Sequence, residues 1–132
     1  MNMTDPIADF LTHIRNACRA KQRRVNIPAS SLKIRMAEIL KRMNFIRTVE
    51  FVDDGKQGIL IIRLKYTPDS ESVITNIQRI SKPGLRIYYD KNKLSAGSRK
   101  VGTVVLSTSR GLMTDKEALE AGMGGEALFR VW

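Results

Sequence analysis

The 132-residue chain carries one cysteine, one histidine and one tryptophan, and only 13 acids stand against 23 Lys and Arg. Cys18 alone cannot form an internal disulfide, and His13 alone leaves too few soft ligands for a zinc site. The longest apolar block, Ile59-Leu60-Ile61-Ile62, has the size of a strand. A membrane span needs about 18–20 apolar residues. The N-terminus lacks the basic-then-apolar order of a secretory signal. No disulfide, metal, cofactor or membrane is therefore expected. The expected setting is reducing, a cytoplasm or an organelle such as a plastid. Hydrophobic residues make up 42% of the chain, enough to build a core.

What the chain does have is positive charge, a formal +10. Between Arg19 and Arg47 there are nine cations and one acid, Glu38. Between Arg79 and Arg110 there are eight cations and one acid, Asp90. From Gly111 to Glu126 the balance turns to −3. Two separate basic stretches in a non-repetitive chain point to a polyanion, with nucleic acid first, because Lys and Arg displace counterions condensed on phosphates.

The pattern along the chain predicts an α+β protein of two small domains, residues 1–67 and 68–132. Asp5 and Pro6 suit a helix start, and Ile7, Phe10, Leu11, Ile14 and Cys18 recur at helical spacing. Val25-Asn26-Ile27 reads as a short strand. A second helix opens at Ser30, with Leu32, Met36, Ile39, Leu40 and Met43 on one face and Lys33, Arg35, Lys41 and Arg42 on the other. The basic face is expected to be open to an anion. Phe45 to Val52 and Ile59 to Tyr66 form a hairpin around Asp53–Gly58. The first domain thus reads α-β-α-β-β. The turn-rich stretch Thr67–Ser72 is the expected boundary. Beyond it the reading is mainly β: strands at Val73–Ile80, Leu85–Tyr89, Thr103–Leu106 and Glu126–Trp132, with a basic loop at Lys91–Lys100. One short helix opens at the capping box Thr114-Asp115-Lys116-Glu117 and stops at Gly122.

Ser107-Thr108-Ser109-Arg110-Gly111 sets three hydroxyls at a strand end beside Arg and Gly, a set that suits phosphates or base edges at close approach. The segment reads equally as a polar turn. Of Tyr88 and Tyr89, one ring should face the core and the other point outward, where an aromatic beside Arg86 can stack on a base. Gly124 and Gly125 suggest close backbone contact. Glu126 beside a polyanion would accept from a base amino or ribose hydroxyl, or order nearby Ser and Arg. The catalytic inventory is poor, because neither Cys18 nor the serines have an acid–base partner nearby. The competing classes are a hydrolytic or RNA-modifying enzyme using Ser107, Ser109 or Cys18, and a general binder of DNA and RNA alike.

Three segments together resemble protein eight of the small ribosomal subunit, bacterial type. They are Lys82-Pro83-Gly84-Leu85-Arg86-Ile87-Tyr88, Ser107 to Asp115, and Gly124-Gly125-Glu126 with a terminal Trp132. Thr4-Asp5-Pro6-Ile7-Ala8-Asp9 and Ile14-Arg15-Asn16-Ala17 are similar to that family's first helix. The resemblance implies a non-enzymatic, two-domain ribosomal protein, monomeric when free, that binds the central domain of small-subunit ribosomal RNA early in assembly. It also implies neighbours such as protein five and, in some bacteria, repression of its own operon's messenger. By motif position, the RNA contacts would centre on Ser107, Thr108, Ser109, Arg110, Gly111, Arg86, Tyr88, Gly124, Gly125 and Glu126. A second region would use Thr4, Asp5, Arg15, Asn16, Ser30, Ser31 and Lys33. Two departures stand out. Phe129-Arg130 replaces the family's usual Cys-Tyr, and Leu119-Glu120 occupies a place where basic residues are frequent.

Overall fold

The structure, a computed structural model, describes residues 5–96 and 102–132. Thr4, Arg99 and Lys100 lie outside them. The architecture is α+β, and the chain divides into two compact units at Thr75/Asn76. The boundary falls beyond 67/68 because the turn folds back on the first unit. Thr67 N donates to the Glu71 carbonyl at 2.8 Å and Val73 N to the Lys65 carbonyl at 3.0 Å.

In the first unit, α1 (Pro6–Arg19) and α2 (Ser31–Arg42) start as local chemistry dictates. The Asp5 carboxylate accepts from Ala8 N at 3.2 Å, and the Ser30 hydroxyl accepts from Lys33 N at 3.2 Å. Each cap satisfies a backbone donor that has no partner inside the helix. The sheet order is β1 (Arg24–Pro28), β3 (Ile59–Leu64), β2 (Ile46–Val52), all antiparallel. Phe10, Leu11 and Ile14 of α1, Met36 and Leu40 of α2, and Ile27, Leu60 and Ile62 of the sheet are fully buried. Burying one such side chain contributes about 1.5–3 kcal/mol. The pairing of β2 with β3 slips at Arg47: Ile46 lies opposite Leu64 and Thr48 opposite Arg63.

The second unit is a five-stranded antiparallel sheet centred on β8 (Gly125–Val131). On one side β8 pairs β6 (Thr103–Thr108), which pairs β7 (Gly111–Thr114). On the other it pairs β4 (Ile77–Arg79) and β5 (Tyr88–Tyr89). Two strands are shorter than the sequence pattern predicts. Val73–Thr75 stays with the first unit, and Leu85–Ile87 is loop, with strand only at Tyr88–Tyr89. Residues 91–96 form a helix, α3 (Lys91–Ala96), where a loop was expected. Asp90 caps it, accepting from Lys93 N at 2.8 Å, and Leu94 anchors it in the core with Val104, Leu106, Ala118 and Ala127. The unit therefore has two short helices, the other being α4 (Asp115–Glu120) with its complete Thr114–Glu117 capping box.

α1, α2 and α4 end alike. Lys21, Asn44 and Gly122 follow the helix ends at φ 55°, 65° and 69°. The next residue reaches back in each case: Gln22 N to Ala17 O, Phe45 N to Leu40 O and Met123 N to Ala118 O. This is the Schellman closure, normally built on glycine.

Candidate nucleic-acid interface

Strand register brings the C-terminal candidates together. Tyr88 lies opposite Glu126 across β5 and β8, and Glu126 lies opposite Ser107 across β8 and β6. Because paired residues point to the same side of a sheet, Tyr88, Glu126 and Ser107 form one row. Tyr88 is the outward ring, 66% exposed, while Tyr89 packs against the core cluster. Lys93 Nζ stands 4.9 Å from the centre of the Tyr89 ring.

Arg86 reaches this row from the loop and pairs with Glu126, 3.1 Å from Nη1 to Oε2. The loop is held at its base by Ser81. Its buried hydroxyl accepts from Ile87 N at 2.8 Å and donates to the Ile87 carbonyl at 3.2 Å. Glu126 thus sits in a basic protein with its charge answered by Arg86, which donates to both carboxylate oxygens. Asp115 and Glu117 also have local reasons, since both lie in the first turn of α4, where acids complement the helix dipole.

The three hydroxyls of Ser107-Thr108-Ser109 divide by role. Thr108 Oγ1 donates to the Gly111 carbonyl at 2.8 Å and accepts from Arg110 N at 3.1 Å. Its hydroxyl is committed to the turn. Gly111, at φ 107°, supplies the backbone conformation that returns the chain into β7. Ser107 and Ser109 make no side-chain hydrogen bond among the described residues. They flank the turn with open donor–acceptor groups, and exposed Arg110 sits at its tip.

Gly124 and Gly125 have a different explanation from ligand approach. A Cβ on Gly124 would lie 2.5 Å from the Tyr89 carbonyl oxygen, and one on Gly125 would collide with the Ser107 carbonyl. They let β8 enter between β5 and β6. Phe129, the departure in the tail, is fully buried on β8 opposite Val105.

The N-terminal candidates do not assemble as expected. Lys33 is only 7% exposed, and its ammonium lies 2.6 Å from Asp9 Oδ2 and 3.0 Å from the Pro28 carbonyl. It ties α2 to α1, so the basic face of α2 loses this residue. Asp5 and Ser30 serve as helix caps. The Ser31 hydroxyl accepts from Arg35 Nη2 at 3.4 Å, and Asn16 is exposed. Arg15 is half-buried and already engaged.

Among the described residues nothing pairs a nucleophile with a base. Burial pushes the Cys18 thiol up from its ordinary range, away from the reactive thiolate. His13 donates from Nδ1 to the Asp9 carbonyl at 2.8 Å. Among the described residues no helix is long and apolar enough to cross a membrane. Sequence reasoning missed Ser81, whose isolated serine carries no pattern, and β7, hidden inside a segment read as one polar motif.

Fold and charge together define a small, basic α+β protein of two compact units. The family model described as Ribosomal protein S8 matches residues 5–132. Small ribosomal subunit protein uS8 of Streptococcus pneumoniae, in strains CGSP14 and JJA alike, is 52% identical over 132 residues, covering 100% of each chain. The chain belongs to the ribosomal protein S8 family of the small subunit.

Proposed function

We propose that this chain binds small-subunit ribosomal RNA directly, in its central domain, and organises that RNA during assembly. The observation that carries this reading is the row of Tyr88, Glu126 and Ser107, extended at the turn by Ser109. A-form RNA hides its bases in a narrow groove and displays ribose hydroxyls on a wide, shallow one. Short unbonded hydroxyls approach such a surface closely, a carboxylate neutralised by Arg86 accepts from a 2′-hydroxyl, and the Tyr88 ring stacks on an unpaired base. The basic stretches add phosphate attraction without selecting sequence. The same site would take a similar fold in the operon messenger, giving translational repression. Protein five is a candidate neighbour in the subunit, and the free chain is a monomer.

The test offers the pure protein fragments of total ribosomal RNA at moderate salt, then footprints whatever is retained. The expected outcome is selective retention of one central-domain helical region, with protection concentrated at an irregular or minor-groove element. Retention of fragments in proportion to their length would overturn the reading. So would equal affinity for DNA duplexes.

A further inference from the structure

In the first unit a cleft of about 850 Å³ opens at the ends of β2 and β3. Five of its lining residues are cations: Lys21, Arg23, Arg47, Arg63 and Lys65, with the Tyr66 ring beside them. No Asp or Glu lines it. The cations come from separate segments, namely the turn after α1, the start of β2 and the end of β3. Convergence of this kind is not the solvated stripe that a single basic helix produces.

Two features of the backbone hold the cations there. Arg47 is the residue left unpaired where the β2–β3 register slips, and a bulge of this kind re-aims a side chain out of the regular alternation. Lys21 occupies the left-handed closure of α1 at φ 55°, where glycine would be easier by about 1 kcal/mol. Across the cleft the Tyr66 hydroxyl donates to the Gln22 carbonyl, fixing the ring against the turn.

The charge is largely uncancelled. Arg23, Arg47 and Lys65 make no ion pair among the described residues. Lys21 Nζ donates to a neutral carbonyl, that of Ser70, at 3.1 Å. Arg63 meets Glu50 at 3.7 Å with both side chains about half exposed, a pair weak enough to exchange for a better anion. Placing five like charges around one hollow opposes folding through self-repulsion, and an anionic occupant would relieve it.

The geometry points to a phosphate-binding site in this cleft, lined by the first unit alone and separate from the row on the second unit. Its ligand is a run of consecutive phosphate groups. Arginine forks take tetrahedral oxyanions through paired N–H donors, and a compact oligophosphate matches five converging cations better than the sparser carboxylates of an acidic peptide. The phosphates come from either the backbone of a nucleic-acid strand or a free oligophosphate.

The test titrates the isotope-labelled full chain with sodium tripolyphosphate, with a short single-stranded RNA lacking terminal phosphates, and with a glutamate peptide of matched charge. Amide shifts are followed in the wild type, in R47Q/K65Q, and in K56Q/K116Q, which removes the same charge from exposed positions outside the cleft. The expected result is saturable shifts at Arg23, Arg47 and Lys65. R47Q/K65Q should weaken binding at least about tenfold, and K56Q/K116Q should change it by less than about twofold at roughly 0.1 M salt. Preference for the RNA identifies the strand backbone as the source of the phosphates, and preference for tripolyphosphate identifies a free one. Equal loss in both variants, an unsaturable response, or peptide binding as tight as phosphate binding would each overturn the site. S109A should leave these titrations unchanged, so the cleft and the RNA-binding row fail independently.

Discussion

Lys33 shows how far a single residue can depart from the role its position suggests. On a helical wheel it belongs to a basic face, yet its ammonium is buried against Asp9 and the Pro28 carbonyl. Lys33→Ala should lower stability by about 1–3 kcal/mol, read from the urea midpoint, because it strands an acceptor and removes the tie between the helices. It should leave the salt slope of RNA binding unchanged. Arg35→Ala should instead keep stability and flatten the slope by about one unit if that face meets a phosphate. Gly125 makes the same point with the opposite sign of chemistry. It reads as a residue that lets a ligand approach, and the structure gives the space to the Ser107 carbonyl. Gly125→Ala should destabilise the chain by about 1–3 kcal/mol through overpacking, measured in urea without any RNA present.

At the level of elements, the helix starts were legible because capping is local. Asp5, Ser30 and the Thr114–Glu117 box each act within three residues, and all form as the pattern predicts. Thr114 Oγ1 accepts from Glu117 N at 3.1 Å while Glu117 Oε1 accepts from Thr114 N at 3.0 Å. Thr114→Ala should cost about 1 kcal/mol, seen as a lower thermal midpoint. What depends on distant partners was not legible. The fate of Lys33 turns on Asp9, 24 positions away. Among the described side chains of α3, Leu94 alone is buried, too little for periodicity to register. β7 exists because Thr108 and Gly111 turn the chain back, and its partner is β6 rather than a neighbour with a matching pattern. The row of Tyr88, Glu126 and Ser107 was visible as three separate motifs. Only strand register shows that they are adjacent.

For the whole molecule, the excess of ten positive charges sorts into three uses. Lys33 and Arg86 pair theirs with acids of the same chain, Asp9 and Glu126. Those around the β2–β3 end converge on the cleft. Among the described residues others, such as Arg35, Lys41, Lys91 and Arg110, lie on exposed surface, where they attract any polyanion. On the proposed function, charge supplies the attraction, and the uncharged hydroxyls of Ser107 and Ser109 beside the Arg86–Glu126 pair would supply the selectivity. The most direct measurement compares wild type and Ser109→Ala for affinity to the cognate ribosomal RNA fragment and to an unrelated RNA duplex, across a salt series. The account predicts at least about a tenfold loss on the cognate fragment, little change on the duplex, and the same salt slope in both proteins. An equal loss on the two RNAs would contradict it.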